Sequence, residues 1–410
     1  MDFNDSQEQA EFRQKVVAWL EQNVDKENTL SKGGMESEQA LSEAREWQRK
    51  IFDAGWACQT WPKEYGGRGA SSIEQVIWSQ EVSKYPTREG FFAIGIGNCG
   101  PAIMLYGNET QKQELLPRMA RADDIWCQMF SEPGAGSDVA GLKTRAEKNG
   151  DRWIVNGQKI WTSQAQYADY GVLLTRTDPR LAKHKGLTMF FLDMKQAGVE
   201  VRPIKQADGG QAFNEVFFTD VEIPDEQRLG EVNGGWGVAL TVLMNERLAI
   251  AEVAPNGWPE YWDMIRELQL NGQPALQDDE VRRKTAEWYV MNAGLKNAQA
   301  RMLSAVAKGG VPGAEASLGK LVGAPMCQDI SRYALDLLAQ SGACTEEELT
   351  LMNAQFQKAY LYAPGLRVAG GTDEVMRNII AEQVLGLPPD VRVDKGVPFN
   401  EIQAGNQGVK

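Results

Sequence analysis

The spacing of apolar and polar residues changes twice along this chain of 410 residues. From about residue 6 to residue 121, apolar residues recur every three or four positions among charged ones, and this period predicts helices over residues 7–24 and 43–54. The segment 61–69 contains a proline and three glycines, so it is expected to be a loop. The first part of the chain is therefore predicted to be helical.

From about residue 126 to residue 224 the period shortens toward two, which indicates strands. Asn156-Gly157 is the dipeptide typical of a type I′ turn, so residues 153–155 and 158–161 are predicted to form a hairpin. Further strands, rich in β-branched and aromatic residues, are expected over residues 171–175, 187–193, 199–204 and 213–223. Several short strands in about 100 residues favour a small barrel or a sandwich.

After Gly234-Gly235 the helical period returns. Long helices are predicted over residues 236–254, 280–307, 314–340 and 373–385, with connecting loops at 269–279 and 309–313. Several long helices in succession predict a bundle. The fold class is thus α+β, with an N-terminal helical domain (1–124), a middle β domain (125–233), a C-terminal helical bundle (234–398) and a tail (399–410).

Composition and charge exclude several functional classes. The chain has 43 basic and 56 acidic residues, a net charge of −13, which argues against binding nucleic acid or anionic lipid. No apolar stretch is long enough to span a membrane, and the N-terminus is acidic where a signal peptide would be basic. Five scattered cysteines without C-x-x-C spacing indicate reduced thiols, hence the cytoplasm. A single histidine, His184, excludes multi-histidine metal sites and disfavours Ser-His-Asp chemistry unless it serves as the base.

The first candidate for chemistry is the segment Phe130-Ser131-Glu132-Pro133-Gly134-Ala135-Gly136-Ser137-Asp138. Its glycines allow a ligand to approach the backbone, and its hydroxyl and N–H groups are donors for a phosphate or a ring heteroatom. The alternative is a tight turn in which Ser137 or Asp138 caps the next element.

The second candidate is Trp161 with the hydroxyls of Thr162 and Ser163, at the end of the predicted hairpin. An indole can cover one face of a planar cofactor, and a neighbouring hydroxyl can donate to a ring nitrogen. The alternative is a tryptophan that is packed in a core.

The third candidate is Glu246 in a predicted helix. Its neighbours three and four residues away are all apolar: Val242, Leu243, Ala249 and Ile250. Burial raises the pKa of a carboxyl group toward the range that a general base needs. The alternative is a buried ion pair with Arg247 or another arginine.

Three segments together resemble the acyl-CoA dehydrogenase family, and the resemblance runs through nearly the whole chain. They are Ser-Glu-Pro-Gly-Ala-Gly-Ser-Asp (131–138), Asn-Gly-Gln-Lys-Ile-Trp (156–161) and Arg-Val-Ala-Gly-Gly-Thr (367–372). The resemblance implies a helical domain, a β-barrel domain and a four-helix bundle. It also implies FAD as cofactor and the α,β-dehydrogenation of an acyl-CoA thioester to the trans-2-enoyl-CoA.

The resemblance assigns roles to residues of this chain. Phe130 and Ser131 would contact the flavin ring, and Trp161 would cover it. The other cofactor contacts that it implies are Gly136 and Ser137 at the pyrophosphate, Thr162 and Ser163 near N5, Thr372 and Glu374 after the last loop, and Arg282 toward a neighbouring subunit's FAD. For the substrate it implies Ser137, Arg247 and the backbone of Gly370 and Gly371.

Many members of the family carry the catalytic base as Glu-Gly-Thr, where this chain has Gly370-Gly371-Thr372. Members similar to isovaleryl-CoA dehydrogenase place the base in a Glu-Arg pair on the first helix of the bundle, which Glu246-Arg247 matches. Glu246 is therefore expected to remove the α-proton. Backbone N–H groups of the Gly370–Gly371 loop, with the flavin ribityl, would polarise the thioester carbonyl. The alternative is a catalytically silent subunit in which Glu246 only pairs with an arginine.

The resemblance implies electron-transfer flavoprotein as the electron acceptor and a homotetramer or homodimer, with a heterotetramer left open. Two other functions remain as alternatives: a flavin monooxygenase on the same fold, and a non-catalytic subunit of a heteromeric dehydrogenase. The acyl group is not determined, and straight, branched, aromatic and steroid acyl groups all stay open.

Overall fold

The structure, a computed structural model, describes residues 5–26, 37–88, 90–253, 257–307, 313–314, 317–389 and 391–402, without the side chains of 247–253, 303 and 306–307. The chain divides into two compact units. One comprises the residues up to 205, residues 211–245 and those from 391 onward, and the other comprises residues 206–210 and 246–390.

Helices make up the first part of the first unit: α1 (Gln7–Asn23), α2 (Glu38–Asp53), α3 (Ser72–Val82), α4 (Gly100–Tyr106) and α5 (Glu109–Ala120). The predicted helix over residues 7–24 is confirmed. The second begins five residues before the predicted start, because Ser37 accepts a hydrogen bond from the Ala40 N–H and caps it. Trp56, Trp78 and Trp47 lie in the core between α1, α2 and α3.

Residues 126–229, all of them described, form an eight-stranded sheet. Its strands are β1 (Trp126–Met129), β2 (Arg145–Asn149), β3 (Arg152–Ser163), β4 (Tyr170–Arg176), β5 (Leu187–Asp193), β6 (Val199–Pro203), β7 (Phe213–Pro224) and β8 (Arg228–Leu229). The order is β6-β7-β3-β2-β4-β5-β8, and β1 pairs with β4 in parallel. The strand predicted over residues 187–193 is confirmed, and the other three predicted single strands lie within one residue of their predicted bounds.

Strands β4 and β5 pack on both faces. Leu173 and Phe190, which are register partners, enter one apolar core, while Val172 and Phe191 enter another. Because successive side chains of a strand point to opposite faces, a strand that is buried on both sides consists almost entirely of apolar residues. This explains why residues 171–174 and 189–192 carry no polar side chain.

The predicted hairpin at Asn156-Gly157 is wrong. β3 runs without reversal through both residues and pairs with β7, with a register irregularity between Val155 and Gly157. The Asn156 side chain bonds across to Asp220, which fixes the irregularity. A Cβ on Gly157 would lie 2.5 Å from Thr144 Oγ1, so the glycine allows β2 to approach and does not serve a turn.

An Asn-Gly turn does occur at Asn271-Gly272, where both residues have positive φ (52° and 76°), as a type I′ turn requires. It joins two short antiparallel strands, β9 (Gln269–Leu270) and β10 (Gln273–Pro274), inside a segment that was predicted to be a loop.

The remaining helices are α6 (Gly235–Val253), α7 (Trp258–Glu267), α8 (Asp279–Ala307), α9 (Ser317–Leu338), α10 (Gln355–Leu366) and α11 (Asp373–Ile379). The sequence predicted α6, α8 and α9 closely but missed α7 and α10. In the second unit, Tyr261, Trp288, Ile330 and Phe356 form the core of a helical array. The α+β fold class is thus confirmed, including the helix–sheet–helix order.

Residues 391–402 return to the first unit. Lys183 forms an ion pair with Asp394, and the Arg176 guanidinium lies 3.8 Å from the centre of the Phe399 ring. Within the described residues, none of the helices combines the length and the apolar character needed to cross a membrane.

Candidate functional site

The octapeptide 131–138 forms an exposed turn. Glu132 and Ala135 exchange two backbone hydrogen bonds of 3.0 Å, which close the turn around Pro133 and Gly134. Gly136 and Ser137 follow on the exposed side, and their backbone N–H groups have no acceptor in the part of the chain that is described.

Gly136 is not required by the fold. A Cβ added to it would meet no atom within 4 Å, and its φ lies outside the left-handed region that favours glycine. A glycine without steric or conformational need, beside two unsatisfied N–H donors, suits a ligand that comes close to the backbone. This geometry fits the pyrophosphate contact that the sequence predicted there.

A buried ion pair lies beneath this turn. Lys159 is fully buried, and its ammonium donates to Glu132 Oε1 at 2.9 Å and to the Phe130 carbonyl at 3.0 Å. The carboxylate also accepts from the backbone N–H groups of Lys143 (2.7 Å) and Thr144 (2.9 Å). The pair therefore ties together β3, the residues before the turn and the segment that leads into β2.

Burial determines the ionisation of this pair. It lowers the pKa of Lys159 to about 8, and the charge of Glu132 opposes this shift. Burial by itself would raise the pKa of Glu132, but the Lys159 charge and the hydrogen bonds that the carboxylate accepts bring it below its usual value.

Trp161 and Thr162 lie at a second irregularity of β3. The register of its pairing with β7 shifts between Lys159 and Thr162. Trp161 has a φ of +59°, which is uncommon for an aromatic residue, and 56% of it is exposed; its ring meets that of Phe213 edge-on. Strained backbone and an exposed large aromatic side chain are typical of binding sites. The core-packing alternative for Trp161 is therefore wrong.

Thr162 is buried, and its hydroxyl has no hydrogen-bond partner among the described residues. Ser163 next to it is half-buried. The Thr162 hydroxyl is one of several buried polar side-chain atoms without a partner among the described residues, and such a hydroxyl is available to bond a water or a ligand. Together with Trp161 and Gly136, it fits a planar ligand that forms hydrogen bonds and carries phosphate, as FAD does.

Phe130 is buried and Ser131 is half-buried, and the Ser131 carbonyl accepts from the Ile160 N–H at 2.9 Å. The structure thus brings the first two candidate segments, 130–137 and 161–163, together through neighbouring backbone. A cavity of about 270 Å³ lies beside them, and its lining residues are Glu132, Pro133, Gly134, Gly141, Lys143, Thr144, Gly157 and Gln158. The cavity does not include Trp161 or Thr162, so it does not coincide with the predicted ring site.

In the second unit, Gly370 and Gly371 both have positive φ (64° and 92°). Thr372 begins α11 as its N-cap and accepts from the Val375 N–H at 3.2 Å, while Glu374 is exposed. Asp373 is buried and joins two cations, Arg367 Nε at 2.7 Å and Lys320 Nζ at 3.2 Å.

The Lys320 ammonium also donates to the carbonyls of Arg367 (2.8 Å) and Gly371 (2.6 Å). Burial lowers the pKa of Lys320. Burial alone would raise the pKa of Asp373, yet hydrogen bonds from Arg367 and Lys320 hold it below its usual value.

Glu246 lies on α6 and is half-buried. Val242, one turn earlier, is fully buried and Leu243 is half-buried, as the sequence pattern predicted. Glu246 has an interaction partner in the structure, so both the base and the ion-pair roles stay predictions. The side chains of Arg247, Ala249 and Ile250 lie outside the described residues. Arg282 is exposed in the first turn of α8, and its predicted contact to another subunit stays a prediction.

Sequence reasoning missed the roles of Glu132, Lys159, Lys320 and Asp373. A signal existed for Lys159, because it is an even number of residues from Trp153 and Val155 and so points to the same buried face of β3. A signal existed also for Lys320, a lone lysine whose neighbours at helical spacing include Ser317, Gly323 and Ala324.

Comparisons with known proteins extend these observations. Three family models match the chain: the N-terminal domain (residues 6–123), the middle domain (127–221) and the C-terminal domain (233–385) of acyl-CoA dehydrogenase. Acyl-CoA dehydrogenase IpdE1 of Mycobacterium tuberculosis is 34% identical over 397 residues, which cover 94% of this chain and 100% of that protein.

Two solved structures are similar over most of their length. The protein called Tcur3481-Tcur3483 steroid ACAD has a TM-score of 0.81 and 30% identity, covering 95% of this chain and 100% of its own. The ChsE4-ChsE5 complex from Mycobacterium tuberculosis has a TM-score of 0.79 and 28% identity, with the same coverage.

Proposed function

Since the chain belongs to the acyl-CoA dehydrogenase family and is an oxidoreductase of that family, we propose that it binds FAD and converts an acyl-CoA thioester to the trans-2-enoyl-CoA. The observation that carries the proposal is the combination of an exposed, strained Trp161 with the orphaned buried hydroxyl of Thr162. Both features suit a planar ring with hydrogen-bonding edges.

Phe130, Ser131, Trp161, Thr162 and Ser163 would hold the ring, and Gly136 and Ser137 would donate backbone N–H groups to the pyrophosphate. Thr372, Glu374 and a neighbouring subunit's Arg282 would complete the cofactor site. When bound at these residues, FAD would supply the acceptor for the hydride from the β-carbon.

The chain's own residues supply the remaining chemistry. The backbone of Gly370 and Gly371 donates to the thioester carbonyl and so acidifies the α-carbon. Glu246 then takes the α-proton on its carboxylate. The apolar residues Val242 and Leu243, one turn earlier on α6, keep water away, and a carboxylate that has lost part of its hydration is a stronger base.

The acyl group is proposed to be a bulky one of the steroid side-chain class. The support is that a structure named a steroid ACAD matches 95% of this chain at 30% identity. We also propose electron-transfer flavoprotein as the electron acceptor. The proposed location is the cytoplasm, because its reducing conditions keep the five cysteines as free thiols.

The purified protein should be yellow and should release FAD on denaturation, because the proposed contacts are all non-covalent. Under anaerobic conditions, the flavin absorbance should bleach with at least one member of a panel of straight, branched, aromatic and steroid acyl-CoAs. Bleaching by NADH, followed by oxygen consumption, would instead support the monooxygenase. A flavin that no acyl-CoA reduces would support the non-catalytic subunit.

Gly136→Val should weaken FAD binding by at least about tenfold, since one lost hydrogen bond or one misplaced phosphate contact is worth roughly 1.4 kcal/mol or more. The melting temperature of the flavin-free protein should not change, because the added side chain meets no protein atom. Flavin fluorescence titration measures the affinity. Gly134→Val is the matched control, since it enters open space on the same turn without a predicted ligand contact. If the wild type, Gly136→Val and Gly134→Val bind FAD equally well, the pyrophosphate does not bind at this turn.

The assembly is proposed to be a homodimer or a homotetramer, in which Arg282 reaches a neighbouring subunit's FAD. A heterotetramer is the second candidate, because a similar structure is a complex of two different chains. Mass measurement in solution, with and without co-expression of a related partner chain, decides between them. A fully active monomer would exclude both.

A further inference from the structure

The loop before α11 presents a row of backbone donors. The N–H groups of Gly370, Gly371 and Thr372 have no acceptor within the described parts of the chain. Both glycines have φ in the left-handed region, so the chain turns at the same residues that carry the unpaired N–H groups. Successive unpaired N–H groups in a turn form a concave site for an oxygen that carries negative charge.

The opposite side of the same loop is fixed by one buried ammonium. Lys320 Nζ meets three acceptors, the carbonyls of Arg367 and Gly371 and the Asp373 carboxylate, at 2.8, 2.6 and 3.2 Å. An ammonium has three N–H donors, so this set satisfies it completely. Two of the three bonds go to loop carbonyls rather than to the counter-ion.

We propose that Lys320 is a positioning residue: by binding the carbonyls of Arg367 and Gly371, it holds the loop so that the N–H groups of Gly370 and Gly371 face the thioester carbonyl of the substrate. A trans peptide points its N–H opposite to its C=O. Because Lys320 holds the Gly371 carbonyl, the Thr372 N–H points away from the ammonium. The hydrogen bond from Lys320 therefore prevents the Gly371–Thr372 peptide from rotating, although glycine by itself would allow that rotation.

Two neighbouring contacts leave the loop little other freedom. The Thr372 side chain caps α11, and a Cβ on Gly371 would lie 2.4 Å from Met376 Cε, so this residue packs tightly against the helix. Lys320 therefore fixes the loop through its carbonyls, and the Thr372 side chain fixes it to the start of α11. The unpaired backbone N–H groups lie between these two contacts.

This inference rests on the proposed function, in which the loop polarises a thioester. The test uses the holoenzyme and the acyl-CoA that reduces the wild-type flavin fastest. Lys320→Met keeps the aliphatic length and removes the three donors. The rate of flavin reduction at saturating substrate should fall about 10–100-fold, the range for a small misplacement of an orienting group. The dissociation constants for FAD and for acyl-CoA should change far less.

The second readout is the carbonyl stretch of bound product, labelled with a heavy carbon isotope at the thioester. Polarisation lowers this frequency in the wild type, and in Lys320→Met it should return toward its value in solution. A purely structural role for Lys320 would lower the melting temperature but leave the frequency of the folded fraction unchanged. That result would overturn the inference.

Lys320→Met leaves Asp373 buried with Arg367 as its remaining partner, so the double variant Lys320→Met/Asp373→Asn is the version to test if the single one does not fold. It should show the same return of the carbonyl frequency. Glu81→Gln is the matched control: it neutralises a carboxylate that is as buried as Asp373 and that pairs with Arg13 and Lys84 in the first unit, and it should leave both readouts unchanged. If no acyl-CoA reduces the wild type, the proposed function fails; if the wild type is reduced and both Lys320 variants match it, only this inference fails.

Discussion

Glu246→Gln is expected to slow flavin reduction by acyl-CoA roughly 10²–10⁴-fold, the usual contribution of a positioned general base. The substitution keeps the shape of the side chain and removes its basicity, so FAD and acyl-CoA should bind as before. Stopped-flow reduction under anaerobic conditions measures the rate, and the flavin spectrum reports binding.

Two outcomes would contradict the assignment of Glu246 as base. If Glu246→Gln is reduced at the wild-type rate, the base is elsewhere. If the variant misfolds or loses flavin, Glu246 is a partner in a structural ion pair. Glu267→Gln is a useful control, since this carboxylate is exposed at the end of α7 and has no proposed contact with cofactor or substrate.

Adding Gly370→Glu to Glu246→Gln moves a carboxylate to the loop position that many family members use. Only a small part of the rate should return. Gly370 has a φ of +64°, and a residue with a Cβ pays about 1–2 kcal/mol in that left-handed conformation. The positive φ of Gly370 thus favours glycine at this position of the loop.

Lys159→Met should have the largest effect on stability, a loss of about 3–5 kcal/mol, because it leaves the Glu132 carboxylate buried without its cation. The flavin content should fall with it, since Lys159 also holds the Phe130 carbonyl beside the predicted ring site. Denaturant titration of the flavin-free protein measures the stability.

The double variant Lys159→Met/Glu132→Gln separates charge from packing. Removing both charges should recover a large part of the lost stability, because a neutral amide is far cheaper to bury than an unpaired carboxylate. Equal stabilities for the single and the double variant would show that the pair is not the source of the loss.

Local sequence patterns predicted much of the fold, because whether a segment forms a helix or a strand depends largely on residues close to it in the sequence. The periods of 3.6 and two located α1, α6, α8 and β5. The same reasoning failed at Asn156-Gly157, where a turn signal is overruled by cross-strand contacts to Thr144 and Asp220. Thr144 lies 13 residues from Gly157 and Asp220 lies 64 residues from Asn156, so no local rule could include them.

The candidate site divides in the same way. The sequence by itself determined the family, the octapeptide, Trp161 and the apolar setting of Glu246, since motif and helix face are local properties of the chain. Only the tertiary structure decided that Trp161 is exposed, that the Thr162 hydroxyl lacks a partner among the described residues, and that Lys159 and Lys320 are buried cations beside the 131–138 turn and the 370–372 loop. The cost of burying a charge depends on the groups around it, and the chain assembles those groups from distant segments.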